Sequence, residues 1–217
     1  MNIITIPIVD QKSKTLRTDC RVEFEGEICP YVSVENRIGK RLVGYEIIKR
    51  DLKCCLQILE ALESKIIDEP MLLNALWESF ITKYGRCFAD ANRGRGIKLE
   101  GKDIFENDMD NFKEHHEYLI CERNNFSAHA GDSDSDLYEV RLALKPAAKG
   151  KERYGFYISR DIAISATLEA LSEHKNLVEH IVIFVDNKLD EIYNRIKEEY
   201  EKVDIDELYK NSKIIIT

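Results

Sequence analysis

A chain of 217 residues, 44% hydrophobic and 33% charged, is long enough for one domain with a sizeable core and is neither collagen-like nor compositionally disordered. Its net charge of −8 argues against indiscriminate attachment to nucleic acid or membrane through bulk charge. No apolar run approaches the roughly 20 residues that a bilayer span requires, so no membrane association is expected.

The first ten residues are apolar but lack a basic start and a small-residue cleavage site, so they read as a strand and the expected location is cytoplasmic. The six cysteines include adjacent Cys54 and Cys55 but no C-x-x-C pair. Without that spacing, reduced and mostly buried thiols are expected, with neither a metal nor a cofactor.

Residues 1–43 form a β-rich N-terminal arm in this reading, with Ile3-Ile4-Thr5-Ile6 and Val22-Glu23-Phe24-Glu25 as strands and Gly26 and Pro30 as punctuation. Helical periodicity follows. From Tyr45 to Ile66 the positions Ile48, Leu52, Cys55, Leu59, Leu62 and Ile66 make one apolar face. Pro70 suits the first turn of a second helix carrying Leu73, Leu76, Trp77, Phe80, Tyr84 and Phe88. A glycine- and arginine-rich loop, Asn92-Arg93-Gly94-Arg95-Gly96, precedes a third helical pattern from about Ile104 to His129. That pattern stops before Gly131 and the polar run Asp132 to Asp136.

A hairpin is expected over 137–160, with alternation in Tyr138–Leu144 and Tyr154–Ser159 about a break at Pro146–Gly150. Asp161 then reads as the cap of a long helix to about Val203, with a break near Lys175-Asn176 and a stripe of Val178, Val182, Val185, Leu189, Ile192 and Ile196. Residues 204–217 form a tail whose Lys213-Ile214-Ile215-Ile216 can pair with the N-terminal strand. Four helices with one apolar face each bury those faces most simply in an antiparallel four-helix bundle, here 44–203. The expected fold is therefore mainly α, with a small β arm and a hairpin before the last long helix.

The third helix carries an anomaly. Phe112, His116, Leu119, Arg123 and Phe126 step by four, three, four and three, which puts an arginine on the apolar stripe. Such a guanidinium either pairs with an acid, Glu78 or Glu122, or snorkels past the helix end, or faces a cleft that needs positive charge. His116 on the same stripe reads as a hydrogen-bonded core histidine. His129 falls in the last helical turn, where it is either a C-terminal cap or an imidazole held protonated near neutral pH. On an unbroken helix Arg123 and His129 are about 120° apart and about 9 Å apart along the axis. They converge on one phosphate by side-chain reach, by an early helix end, or in a cleft shared with a second subunit. An arginine that neutralises a phosphorane and a histidine that moves protons are the parts for RNA cleavage by the ribose 2′-hydroxyl.

The run Arg123-Asn124, four residues, then His129 resembles the motif of the HEPN superfamily, the higher eukaryote and prokaryote nucleotide-binding domains. The resemblance implies a HEPN-like helical bundle and a metal-independent endoribonuclease, active as a homodimer and frequent in toxin–antitoxin and phage-defence systems. It gives Arg123 charge stabilisation, Asn124 the orienting role and His129 the acid–base role. The expected partners are RNA, a second copy and an antitoxin or other defence protein. A rival implication is a catalytically inactive member that binds nucleotide or RNA, or holds a protein partner. A purely structural helical protein, with Arg123 in an internal ion pair, is the third reading.

Further RNA contacts are expected at Arg93 and Arg95 of the loop, and at Tyr84 and Arg86 of the second helix. Residues 86–102 hold five basic and two acidic groups and 141–160 six and one, whereas 186–207 hold four and nine. That asymmetry lets RNA approach one end despite the negative total. The acidic run at 132–136 is no EF-hand, because Leu137 and Ala143 stand where glycine and glutamate are needed.

Overall fold

The structure is a computed structural model and describes residues 2–10, 15–64, 66, 69–91, 96–106, 112–127, 136–162 and 167–213. The chain is mainly helical with small antiparallel sheets, and it divides into two units. Among the described residues no helix is long and apolar enough to cross a membrane.

The first unit comprises Met1–Lys40 and Tyr193–Thr217. Strands β1 (Asn2–Asp10), β2 (Thr15–Phe24) and β3 (Glu27–Ile28) form an antiparallel sheet in that order. Glu25 (φ 52°) and Gly26 (φ 88°) make the two-residue turn from β2 to β3. Positive φ at both central positions matches the right-handed strand twist, and glycine adopts it without penalty. Tyr31 and Lys213 exchange backbone hydrogen bonds of 3.0 and 2.8 Å, so the tail meets the arm just past the strands; residues 214–216 lie outside the described residues. A short helix in the tail, Ile205–Lys210, is capped by Asp204, whose Oδ1 accepts from the backbone N–H of Asp206 and Glu207.

The second unit is Arg41–Ile192. Helices α1 (Arg37–Glu63), α2 (Pro70–Phe88), α4 (Phe112–Ser127) and α5 (Leu168–Tyr200) carry it, with a single turn α3 (Gly101–Ile104) and a hairpin of β4 (Asp136–Leu144) and β5 (Arg153–Ile162). The expected stripes face inward: Ile48, Leu52, Cys55 and Leu59 of α1, Trp77, Phe80 and Tyr84 of α2, Leu119 of α4, and Val178, Val185 and Leu189 of α5 are buried. Each such large side chain contributes about 1.5–3 kcal/mol.

Cross-contacts fix the helix directions. Asp51 and Cys55 of α1 meet Arg86 and Phe80 of α2; Phe88 and Gly85 of α2 meet His116 and Arg123 of α4. Phe112 and Tyr118 of α4 meet His180 and His174 of α5, and Lys175 and Asp186 of α5 meet Glu63 and Lys49 of α1. In every pair, advancing along one helix means retreating along the other.

Four boundaries differ from the sequence reading. The first helix begins at Arg37, so the β arm ends earlier than residue 43; it stops at Glu63, which leaves Ile66 outside and exposed. The third helical pattern does not start at Ile104. Phe105 leaves helical dihedrals (φ −109°, ψ 22°) and is buried with Ile104, and α4 begins at Phe112. Asp161 is not a helix cap, because it pairs with Leu137 inside the hairpin. The α5 start is held by Thr167, whose Oγ1 accepts from the Ala170 N–H at 3.2 Å, and the helix continues without a break through Lys175-Asn176. In the hairpin, the cross-strand pairs Val140–Ile158 and Leu142–Phe156 expose their apolar side chains.

Candidate functional site

Arg123 sits one turn from the end of α4 and its position is made by a glycine. Gly85 is buried on α2, and a Cβ there would lie 2.7 Å from Arg123 Cγ, 3.1 Å from its Cδ and 3.3 Å from its Cβ. The arginine stem therefore occupies space that any other residue at 85 would claim. The residue as a whole is half-buried, and its guanidinium Nη1 donates to the exposed Asn124 Oδ1 at 3.0 Å. Among the described residues no carboxylate lies within ion-pair distance of it. Glu78, one acid considered for the pair, accepts instead from Asn74 Nδ2 at 2.8 Å. Glu122, the other, is buried but forms no ion pair with Arg123. Asn124 is exposed, so the pair Arg123-Asn124 reaches from the packing to the surface.

His129, the expected acid–base residue, and Arg93 and Arg95, the expected RNA contacts, lie outside the described residues. Tyr84 is fully buried and has no surface to offer a ligand; its hydroxyl lies 2.8 Å from His116 Nδ1. Burial raises the Tyr84 phenol well above its ordinary range and pushes the His116 imidazole down to about 4. With no other acceptor for that hydroxyl among the described residues, the phenol donates to Nδ1 and His116 is a neutral ring protonated on Nε2. The rings of Phe88 and Phe105 pack on it at 4.3 and 5.0 Å, and its other side lines a cleft with Gly101, Lys102, Lys113 and Glu117.

Arg86 turns toward α1, away from Arg123. Its Nη2 donates to Asp51 Oδ2 at 2.9 Å, and Asp51 is 2% exposed. Around this pair Lys49, Arg50, Lys53 and Lys83 line an open cleft of about 660 Å³ between α1 and α2. These four cations escaped the sequence reading. The available signal was the density Lys49-Arg50-Asp51-Leu52-Lys53, three bases in five residues flanking an acid next to the apolar stripe.

No disulfide joins the six cysteines, but only Cys55 and Cys87 are buried, against the expectation that most would be; burial pushes the Cys55 thiol up. Among the described residues no three histidine, cysteine or acidic side chains are grouped so as to hold a metal ion. No family model, curated protein or solved structure matches this chain.

Proposed function

We propose that the chain is a metal-independent endoribonuclease of HEPN type, its four long helices forming a HEPN-like antiparallel bundle, acting in the cytoplasm as a homodimer within a toxin–antitoxin or phage-defence system. The observation that carries this reading is Arg123: a half-buried residue whose stem is seated on Gly85 and whose head, at the exposed end, is tied to Asn124 with no carboxylate neighbour among the described residues. An arginine that serves only as surface charge needs no glycine cleared for its stem. One anchored by a glycine and an amide, with its head at the surface, keeps its charge available for an anion.

The reaction follows from those parts. The ribose 2′-oxygen attacks the adjacent phosphorus, forming a 2′,3′-cyclic phosphate as the bond to the 5′-oxygen breaks. Arg123 neutralises the charge that builds on the phosphorane oxygens, an effect worth about 10²–10³ in rate where a single donor is removed. Asn124 fixes the guanidinium plane. His129 transfers the proton, from the 2′-hydroxyl or to the 5′-oxygen, for a further 10²–10⁴ or so. A second reading, an inactive HEPN-like nucleotide- or RNA-binding or protein-interaction module, draws on the exposed apolar pairs of the β4–β5 hairpin, which suit a protein partner.

The test is incubation with mixed cellular RNA in excess EDTA, beside folded Arg123→Ala and His129→Ala variants. Cleavage by the parent alone, leaving 2′,3′-cyclic or 3′-phosphate ends, is the expected result. Intact RNA in every tube rejects the nuclease and favours the binding module.

A further inference from the structure

The α1/α2 cleft concentrates positive charge in an acidic protein. Three cations come from α1 (Lys49, Arg50, Lys53) and two from α2 (Lys83, Arg86), against Asp51 and Glu46. Their pairing is uneven. Lys49 is engaged with Asp186 at 2.7 Å, and Arg50 and Arg86 share Asp51, at 3.8 and 2.9 Å. Asp51 is thus a buried post that holds Arg86 over the cleft, and Arg86 remains half-exposed. Lys53 and Lys83 have no carboxylate within ion-pair distance among the described residues. Both line the cleft and carry the charge that its two acids do not offset.

The shape and lining select the ligand. On each helix the cations recur three or four residues apart, about 5 Å along the axis, so two antiparallel rows border an open trough. Such rows suit a chain of successive anions better than one enclosed ion. Among the described residues no aromatic side chain lines the trough, so they offer no platform for stacking a base, and contact is with the backbone. Among the described residues no large apolar side chain lines it either, which disfavours insertion into a lipid surface. Gly85 and Arg86 are consecutive on α2, so the trough and Arg123 occupy neighbouring faces of one helix.

We propose that the α1/α2 cleft binds the phosphodiester backbone of single-stranded RNA, independently of sequence, through Lys53, Lys83, Lys49 and the Arg50–Asp51–Arg86 cluster. The identity of the polyanion as RNA rests on the nuclease reading; the polyanion site itself rests on the cleft.

The experiment measures binding by fluorescence anisotropy, with the full chain carrying His129→Ala so that no strand is cut, and fluorescein-labelled 12-nucleotide RNAs of two unrelated sequences. Each phosphate contact contributes about 0.7 to the slope of log affinity against log salt for a single strand. Lys53→Ala and Lys83→Ala should each remove about that much, equivalent to about fivefold in affinity at 0.1 M salt, and the double variant about 25-fold. Both RNAs should respond alike, inorganic phosphate should compete only weakly, and Lys113→Ala, on α4 beside Glu117, should bind like the parent. Unchanged slopes in the two cleft variants overturn the proposal, as does an absence of RNA binding by the parent at low salt. So does lysine-dependent binding to phosphatidylglycerol vesicles without RNA binding, which would assign the cleft to a membrane surface. The two readings fail separately. RNA cleavage with cleft variants indistinguishable from the parent removes the cleft and keeps the nuclease, whereas lysine-dependent RNA binding without cleavage does the reverse.

Discussion

Tyr84 and Gly85 are neighbours on α2, yet they treat two residues of α4 in opposite ways. His116 and Arg123 are seven residues apart, two turns on the same face, and both turn toward α2. At the first, a tyrosine brings a hydroxyl and a ring, and the half-buried histidine, which also lines a cleft with Gly101 and Lys113, is held as a neutral, hydrogen-bonded group among aromatic side chains. At the second, a glycine withdraws and leaves a channel for an arginine stem, whose head meets an amide and, among the described residues, no carboxylate. The difference shows how one helix pair holds both a hydrogen-bonded neutral histidine and an available cation. What decides between them is the size of a single facing side chain, more than the polarity of the residue being packed.

The largest expected effect separates the two corners by pH. His116 and His174 both have imidazoles pushed down to about 4 by burial, His174 also by neighbouring His115, against about 6.5 in an unfolded chain. Above about pH 6.5 both are neutral in either state and their contribution is complete. As pH falls from 6.5 toward 4 the unfolded chain takes up two protons that the native chain refuses, so stability is lost. The slope is about 1 kcal/mol per pH unit for each imidazole. Denaturant midpoints should stay level from pH 7.5 to about 6.5 and then drop steadily to pH 5, above the main carboxylate range, and His174→Phe should roughly halve that slope. A flat profile would mean that burial does not hold the imidazoles neutral.

The same contrast explains what was legible in the chain. The stripes from Ile48 to Leu62 and from Val178 to Ile192 announce buried helix faces because apolar spacing is a local property. The hydrogen-bonded inward setting of His116 could be read from its register, though the ring is half-buried at a cleft and not in the core, and Arg123 could be recognised as misplaced for the same reason. Asp161 misled because a polar residue before a helical pattern looks identical whether it caps a helix or ends a strand; only the pairing of β4 with β5 distinguishes them. The break at Phe105 is a tertiary matter, since the ring leaves the helix to be buried. Gly85 gave no signal, because its meaning depends on which residue of another helix crosses it. The α1/α2 cleft was only half legible for that reason too. Lys49, Arg50 and Lys53 crowd one short stretch, but Lys83 and Arg86 follow thirty residues and more after Lys53, and only the packing of Asp51 against Arg86 unites the two groups.

A smaller effect probes the histidine corner directly. Tyr84→Phe keeps the ring and removes the donor, leaving His116 Nδ1 without its hydrogen bond in a largely buried site. The expected cost is about 1–3 kcal/mol in urea unfolding. The neutral imidazole also loses its stabilising donor, so the His116 titration followed by NMR should move upward from about 4. Unchanged stability together with an unchanged titration would show that the hydroxyl does not hold the ring.

The smallest effect tests the open corner, and it does so best as a cycle. Gly85→Ala places a methyl group 2.7 Å from Arg123 Cγ, near the fixed end of the side chain where bending away is hardest. Overpacking of this kind costs about 1–3 kcal/mol, against about 1 kcal/mol gained because alanine is the better helix former. The net loss should be small, up to about 2 kcal/mol. With Arg123→Ala the contacts at Cγ and Cδ disappear and only the one at Cβ, 3.3 Å away, persists. The same Gly85→Ala change should then be neutral or stabilising, giving a coupling of about 1 kcal/mol or more between the two positions. Arg123→Ala alone should cost little, because it orphans no buried carboxylate among the described residues. An equal cost of Gly85→Ala in both backgrounds would mean that the arginine stem does not rest on the glycine, and with it would go the reason for regarding Arg123 as held out for an anion.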